Sequence, residues 1–361
     1  MTGLLLFQIA IVLVAARACG VLLARLGQPP VIGEMAAGIL LGPVVFGAAM
    51  PELHAALFPA ASLPGLSALA TLGLVLFMFV IGVEMRAPEG ARAQVLAAAR
   101  VAGLSALLPF LLALAAAPLL HGMLAPEGVA FWPFALYLGV ALSVTAFPVL
   151  ARILKDRRMQ HTAVGRLALS AAALLDVGAW IALALLVALT GGDGYAGLAR
   201  TLAGLALLLV LVFGLLKPLF AAMLRRHAGD GRPSGTVLAA LLVGLFACAA
   251  ATEWLQLHAV FGAFLFGACL PRDDRLMHAL VERIEHLALV LLMPLFFAVA
   301  GMGTTADAFT ATGAGALLLI LGVAVLGKLA GGGLGARLSG YPLRDSLAVG
   351  SLMNARGMIE L

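Results

Sequence analysis

The chain has 361 residues, 63% hydrophobic and 11% charged, with a formal net charge of +5 and a mean hydropathy of +1.13. Soluble domains carry about 25% charged residues, so the composition excludes a soluble protein with a large core and fits a polytopic membrane protein. Its apolar runs are about 20 residues or longer, the length of spanning helices and not of barrel strands; the expected fold class is an all-α polytopic membrane protein.

In chain order, the N-terminal stretch MTGLLLFQIAIVLVAARACGVLLARLG has no basic start and no clear cleavage site. Its apolar part is too long for a signal-peptide core, and it reads as the first span. Twelve spans are expected, near 3–26, 31–47, 65–85, 93–121, 131–154, 163–189, 197–224, 234–256, 258–271, 278–303, 313–338 and 345–361. The second and ninth are short and glycine-rich. Proline or glycine marks most ends, as in Gln28-Pro29-Pro30, Gly42-Pro43 and Leu270-Pro271.

The loops alternate in charge. One set holds Arg25; Arg86 and Arg92; Arg152, Lys155, Arg157, Arg158 and Arg166; Arg225, Arg226 and Arg232; Arg272, Arg275 and Arg283; Arg337 and Arg344. The other set, 48–64, 122–130, 190–196 and 304–312, has no Lys or Arg, only acids such as Glu52, Glu127, Asp193 and Asp307. This asymmetry puts the first set in the cytoplasm and the N-terminus outside, in an inner (plasma) membrane. The net positive charge is thus a topology signal and not a sign of nucleic-acid binding. Cys19, Cys248 and Cys269 lie in apolar runs without CxxC or metal-ligand spacing, and read as small packing residues.

The run Leu169–Leu189 contains a single charge, Asp176. An acid at membrane depth costs roughly 2.5–3.5 kcal/mol on insertion scales, which makes Asp176 the first candidate site; the plain alternative is an acid neutralised by a neighbour and used in packing. A second buried charge is Lys328, in ILGVAVLGKLAGGGLGARL. The G-x-x-x-x-G-K spacing at Gly322–Lys328 is not a phosphate loop, because Leu329 follows inside a spanning helix where Ser or Thr is required. Gly327, Gly331, Gly332, Gly333 and Gly335 instead permit close helix packing. Lys328 lies nine residues before Arg337, about 13 Å along a helix. That is deep for snorkelling and favours a buried counter-charge. Glu34, Glu84, Glu253 and Glu360 are secondary: Glu84 reads as interfacial, Glu34 and Glu253 as gates or solvated helix ends.

Three segment pairs repeat in one order. Val31-Ile32-Gly33 with Gly38 and Pro43 matches Val260-Phe261-Gly262 with Gly267 and Pro271; LGLVLFMFVIGVEM at 72–85 matches LALVLLMPLFFAVAGM at 287–302; LGVALSVTAFP from Leu138 matches LAVGSLMNARG from Leu347. An odd number of spans separates each pair, so the copies are inverted in the membrane. That is a transporter signature with the site between the halves. In the third pair Pro148 breaks an apolar helix, leaving carbonyls and the Thr145 hydroxyl to face a cation; Asn354, Arg356 and Gly357 put polar groups and a glycine at the equivalent depth.

QPPVIGEMAAGILLGP at 28–43, LFMFVIGVEM at 76–85, ALSVTAFPVLARIL at 141–154, HAVFGAFLFGACLPR at 258–272, PLFFAVAGM at 294–302 and LMNARGMIEL at 352–361 together resemble the monovalent cation:proton antiporter-2 family, over essentially the whole chain. The resemblance implies a thirteen-helix, inverted-repeat sodium/proton antiporter-like fold with dimerisation and core domains, two crossing broken helices and a homodimeric assembly. The whole chain, 1–361, is then one transmembrane antiporter domain without a soluble domain. It stops within its twelfth span, before an expected thirteenth.

By the same resemblance the ion-binding aspartate is Asp176 and the core lysine is Lys328. The family usually has a polar residue before the aspartate; here it is Leu175, so Lys328 must pair with Asp176, find a carbonyl, or lose its proton. The expected function is monovalent cation (Na+ or K+)/H+ antiport by alternating access. H+ and the cation compete for Asp176 with help from Thr145 and Ser143, Lys328 and Arg356 are charge partners, and Pro148, Asn354 and Gly357 break helices. No cofactor is expected beyond the transported ions, and no enzyme motif such as HExxH is present. A sodium-coupled solute symporter of related fold and a cation channel are the alternatives.

Overall fold

In a bilayer each backbone polar group must find a partner within the protein, so apolar runs of this length fold as helices. The computed structural model describes residues 2–85, 91–190, 194–227, 234–255, 257–271, 281–282, 284–304 and 311–356. Among these, nine stretches are long and apolar enough to cross a membrane, and no strand occurs. They correspond to nine of the twelve expected spans. The other three are a 28-residue helix, Ala163–Thr190, and two short helices, Ala259–Cys269 and Leu343–Leu352. Gly357 and Glu360 lie outside the described residues, as do Arg86, Asp193, Arg232, Arg272, Arg275, Arg283 and Asp307.

The chain divides into two compact units, residues 1–86 with 199–304, and 87–198 with 305–361. The first unit holds α1 (Thr2–Ala24), α2 (Pro30–Leu41), the short α3 (Pro51–Leu57) and α4 (Leu63–Glu84). After α5 to α9 in sequence come α10 (Lys217–His227), α11 (Gly235–Trp254), α12 (Ala259–Cys269) and α13 (Met293–Met302). The second unit holds α5 (Ala91–Leu124), α6 (Phe131–Ser143), α7 (Phe147–Asp156), α8 (Ala163–Thr190), α14 (Ala311–Leu338) and α15 (Leu343–Leu352). The helix α9 (Gly194–Val210) runs across the sequence division.

In the first unit the sequence repeat reappears as contact geometry. A Cβ on Gly82 of α4 would lie 3.0 Å from Ala268 N and 3.1 Å from Gly267 Cα of α12. A Cβ on Gly301 of α13 would lie 3.0 Å from Ile39 N and 3.1 Å from Gly38 Cα of α2. The reciprocal approaches repeat as well, Gly267 against the Phe79 carbonyl and Gly38 against the Ala298 carbonyl. Phe264, Gly267 and Ala268 follow Met35, Gly38 and Ile39 at one constant offset. The two copies therefore exchange partners: α2 packs on α13 and α12 on α4. Close crossings of this kind need a residue without a side chain.

In the second unit α14 presents glycines on two sides. Gly327, Gly331 and Gly335 meet Pro109, Leu104 with Ser105, and Arg100 with Val101 of α5. Gly332 and Gly333 meet Ser346, Gly350 and Met353, at and just beyond α15. This bears out the expectation of close glycine packing around Lys328.

Four expectations change. The break in the sixth helical region lies at residues 144–146, ahead of Pro148, which sits in the first turn of α7 where its missing N–H is no loss. Arg152 is inside α7 and only 4% exposed, with its Nε 3.2 Å from Asp156 Oδ2, and is not a loop charge. Glu34 is buried in α2 and not a solvated end. Glu253 accepts from the Ala259 N–H at 2.9 Å, and so caps the start of α12.

Gly82→Ala and Gly301→Ala should each destabilise the protein by about 1–3 kcal/mol, because the new methyl meets backbone that cannot rotate away. Thermal unfolding in detergent should give losses of similar size, since the two glycines occupy equivalent crossings.

Candidate functional site

Breaking a helix inside a membrane exposes carbonyls that have no intrahelical partner, the last four of any helix. α6 ends at Ser143, and Val144 and Ala146 are extended, at φ −71°, ψ 144° and φ −66°, ψ 94°. The chain therefore turns away from its helical ladder over residues 144–146 and restarts at Phe147. α15 ends in the same way: its helix stops at Leu352, and residues 353–356 run on through a turn into non-helical backbone.

The two breaks meet. The Ala146 N–H donates to the Ala355 carbonyl at 2.9 Å, and Thr145 Oγ1 donates to the Met353 carbonyl at 2.9 Å. Lys328, fully buried on α14, donates from Nζ to the Ser143 carbonyl and, at 2.6 Å, to Thr145 Oγ1. Arg356 Nη2 donates to the Leu142 carbonyl at 3.1 Å and to the Ala324 carbonyl at 3.2 Å. The single Ser143 hydroxyl proton is within reach of two carbonyls, Gly139 O at 2.7 Å and Ala106 O at 2.9 Å. Two cationic side chains thus cap the broken C-terminal end of α6, which carries roughly half a negative charge from its peptide dipoles.

Of the expected site residues, the structure brings together Ser143, Thr145, Lys328, Asn354 and Arg356, with Pro148 in the first turn of α7. Asp176 is half-buried on α8, which packs against α5, α6, α7 and α15. Its neighbour Leu175 is buried, 6% exposed. Among the three outcomes weighed for Lys328, a carbonyl is one that the structure supplies. Sequence reading missed the backbone oxygens of Leu142, Ala324, Met353 and Ala355, because no residue type marks a carbonyl as an acceptor. The role of Arg356 had a usable signal: a cation beside a helix break favours a helix C-terminus.

The described residues hold no group of three or more His, Cys, Asp or Glu suited to a metal ion. The chain matches the family model described as "Sodium/hydrogen exchanger, transmembrane" over residues 9–361.

The chain belongs to the sodium/hydrogen exchanger family. It is 36% identical to the Na(+)/H(+) antiporter NhaS4 of Synechocystis over 360 residues, covering 99% of this chain and 88% of that one. It is 38% identical to Cation/H(+) antiporter 17 of Arabidopsis thaliana and 33% identical to K(+)/H(+) antiporter 1 of Saccharomyces cerevisiae. It covers 99% of itself in both matches, but spans only 44% and 42% of the length of these two relatives. Among solved structures it is similar to the sodium proton antiporter MjNhaP1 from Methanocaldococcus jannaschii, with a TM-score of 0.65 at 16% identity, covering 97% of this chain and 84% of that one. At that identity the likeness concerns the fold, which is the inverted-repeat antiporter fold. Members of the exchanger family are transporters and not enzymes.

Within this exchanger chain the cap on α6 is also a stability element. Lys328→Met would strip donors from a buried carbonyl and hydroxyl, at a cost of about 1–3 kcal/mol. The expected outcome is a lower thermal midpoint for the purified protein; an unchanged midpoint would show that the cap holds nothing.

Proposed function

We propose that this chain exchanges a monovalent cation, Na+ or K+, for protons by alternating access, with both ions competing for the carboxylate of Asp176. The observation that carries this reading is the crossing of two helix breaks against α8, the helix that bears Asp176. Irregular backbone at membrane depth is tolerated where it is enclosed by protein or lines a wet path, and an intramembrane acid is by default functional. The names of the relatives add support: one is a Na(+)/H(+) antiporter, another a K(+)/H(+) antiporter.

In this mechanism a bare carboxylate is penalised by burial, so the site crosses only with a proton or a cation bound. Pro148 pre-sets the first turn of α7. Thr145 and Ser143 stay in the reading as oxygens at the break, each with lone-pair capacity left beyond its hydrogen bonds. Lys328 and Arg356 hold the break open against the α6 carbonyls. Because Leu175 carries no charge, Asp176 binds either one proton or one cation, and the exchange is one-for-one and electroneutral. The distribution of basic loops supports a plasma-membrane protein with its N-terminus outside, and the family fold supports a homodimer.

Asp176→Asn should reduce cation-dependent proton movement in proteoliposomes to the level of empty vesicles while the protein remains folded. Normal exchange in that variant would rule out the central claim. With the membrane potential clamped at different values, the wild-type rate should stay constant; a rate that tracks the potential would instead mean net charge movement. A channel would reveal itself as current far above carrier turnover, and a symporter as cation flux that needs an organic solute.

A further inference from the structure

The oxygens around the crossing are largely engaged within the protein. The Ser143 carbonyl and Thr145 Oγ1 accept from Lys328, and the Leu142 carbonyl accepts from Arg356. The Met353 and Ala355 carbonyls accept from Thr145 and Ala146, and Ser143 Oγ bonds to α5 and α6 carbonyls. Asn354 differs. Its Nδ2 donates to the Gly350 carbonyl at 3.3 Å, one turn back on α15. That bond fixes which way round the amide lies, since only the nitrogen can donate. Its Oδ1 is buried and has no hydrogen-bond partner among the described residues.

A buried carbonyl oxygen without a partner costs about 1–3 kcal/mol, and the chain places this one in the break itself, between Met353 and Ala355. Lys328 donates to the end of α6 and to Thr145, and Arg356 to the Leu142 and Ala324 carbonyls. An amide oxygen is a neutral hard ligand of the kind that replaces the hydration shell of an alkali cation. Paired with one carboxylate, it would leave the ligand pair with a single negative charge, which matches a monovalent and not a divalent ion.

We propose that Asn354 Oδ1 is a direct ligand of the transported monovalent cation, supplied by the second broken helix to an ion held by Asp176 on α8. This rests on the exchange reading above and adds to it a ligand from the other inverted repeat. It makes the cation, but not the proton, dependent on both breaks, because a proton on Asp176 needs no second oxygen.

The test uses the full chain in proteoliposomes, with proton flux measured against Na+ and K+ titrations for wild type, Asn354→Ala, Asn354→Asp and Asp176→Asn. Asn354→Ala removes both the oxygen and the bond to Gly350; Asn354→Asp keeps an oxygen and loses that bond. Ligation predicts that Ala raises the half-saturating cation concentration about tenfold with the maximal rate little changed, and that Asp lowers it below wild type. If Ala saturates like wild type, or if Asp is impaired as Ala is, the proposal is overturned, the latter outcome assigning Asn354 to the Gly350 bond alone. Should Asn354→Ala not purify folded, Asn354→Asp decides by itself: tighter saturation supports ligation, unchanged or weaker saturation refutes it. Thermal stabilisation of the purified variants by NaCl or KCl, against choline chloride, gives the same comparison without transport. Exchange that survives Asp176→Asn defeats the functional reading itself, whereas a silent Asp176→Asn with wild-type saturation in Asn354→Ala defeats only the ligand.

Discussion

A helix cannot be broken inside a membrane without something to answer its carbonyls, and the second unit is arranged around that requirement. The end of α6 is answered by Lys328 from α14 and by Arg356 from the opposite break. For Lys328 to arrive there, α14 must pack closely on both sides, and its glycines allow this: Gly327, Gly331 and Gly335 toward α5, Gly332 and Gly333 toward α15 and the break beyond it. The cost of taking a lysine out of water is offset by hydrogen bonds to a carbonyl and a hydroxyl, as buried charges demand.

This arrangement changes how the acid of α8 is viewed. A buried lysine and a half-buried aspartate in one unit suggest a simple ion pair. Here the lysine also has work at the helix end, and the residue before Asp176 is an apolar, buried leucine.

Much of this was legible in the sequence. Span lengths follow from the thickness of the hydrocarbon layer, so the expected limits and the observed helices agree within a few residues at most ends. The repeat was legible because glycine spacing records where backbones touch, and Gly38, Gly82, Gly267 and Gly301 prove to be the touching points. What was not legible depends on partners remote in sequence. Pro148 marked the region of the break but not its position, since the chain leaves helical geometry where α6 meets the other break, three residues earlier. Arg152 looked like a loop charge because the end of α7 is set by tertiary packing. The burial of Glu34 and the capping by Glu253 likewise depend on neighbours that no local pattern names. The particular oxygens at the crossing belong mostly to the backbone, where every residue looks alike.

The separation in sequence between the two sides of the cap has a consequence for biogenesis. The end of α6 and the break at residues 144–146 are bonded to Lys328, Met353, Ala355 and Arg356, partners roughly two hundred residues downstream. While the chain is being synthesised, the first half of the protein enters the bilayer with this break and with none of those partners yet made. The α6 carbonyls must then be covered by water, lipid headgroups or the insertion machinery, or the region must stay helical through Val144–Ala146 until α14 and α15 arrive. The inverted repeat thus imposes an order of assembly: the second copy completes the first, and the early spans cannot reach their final form alone.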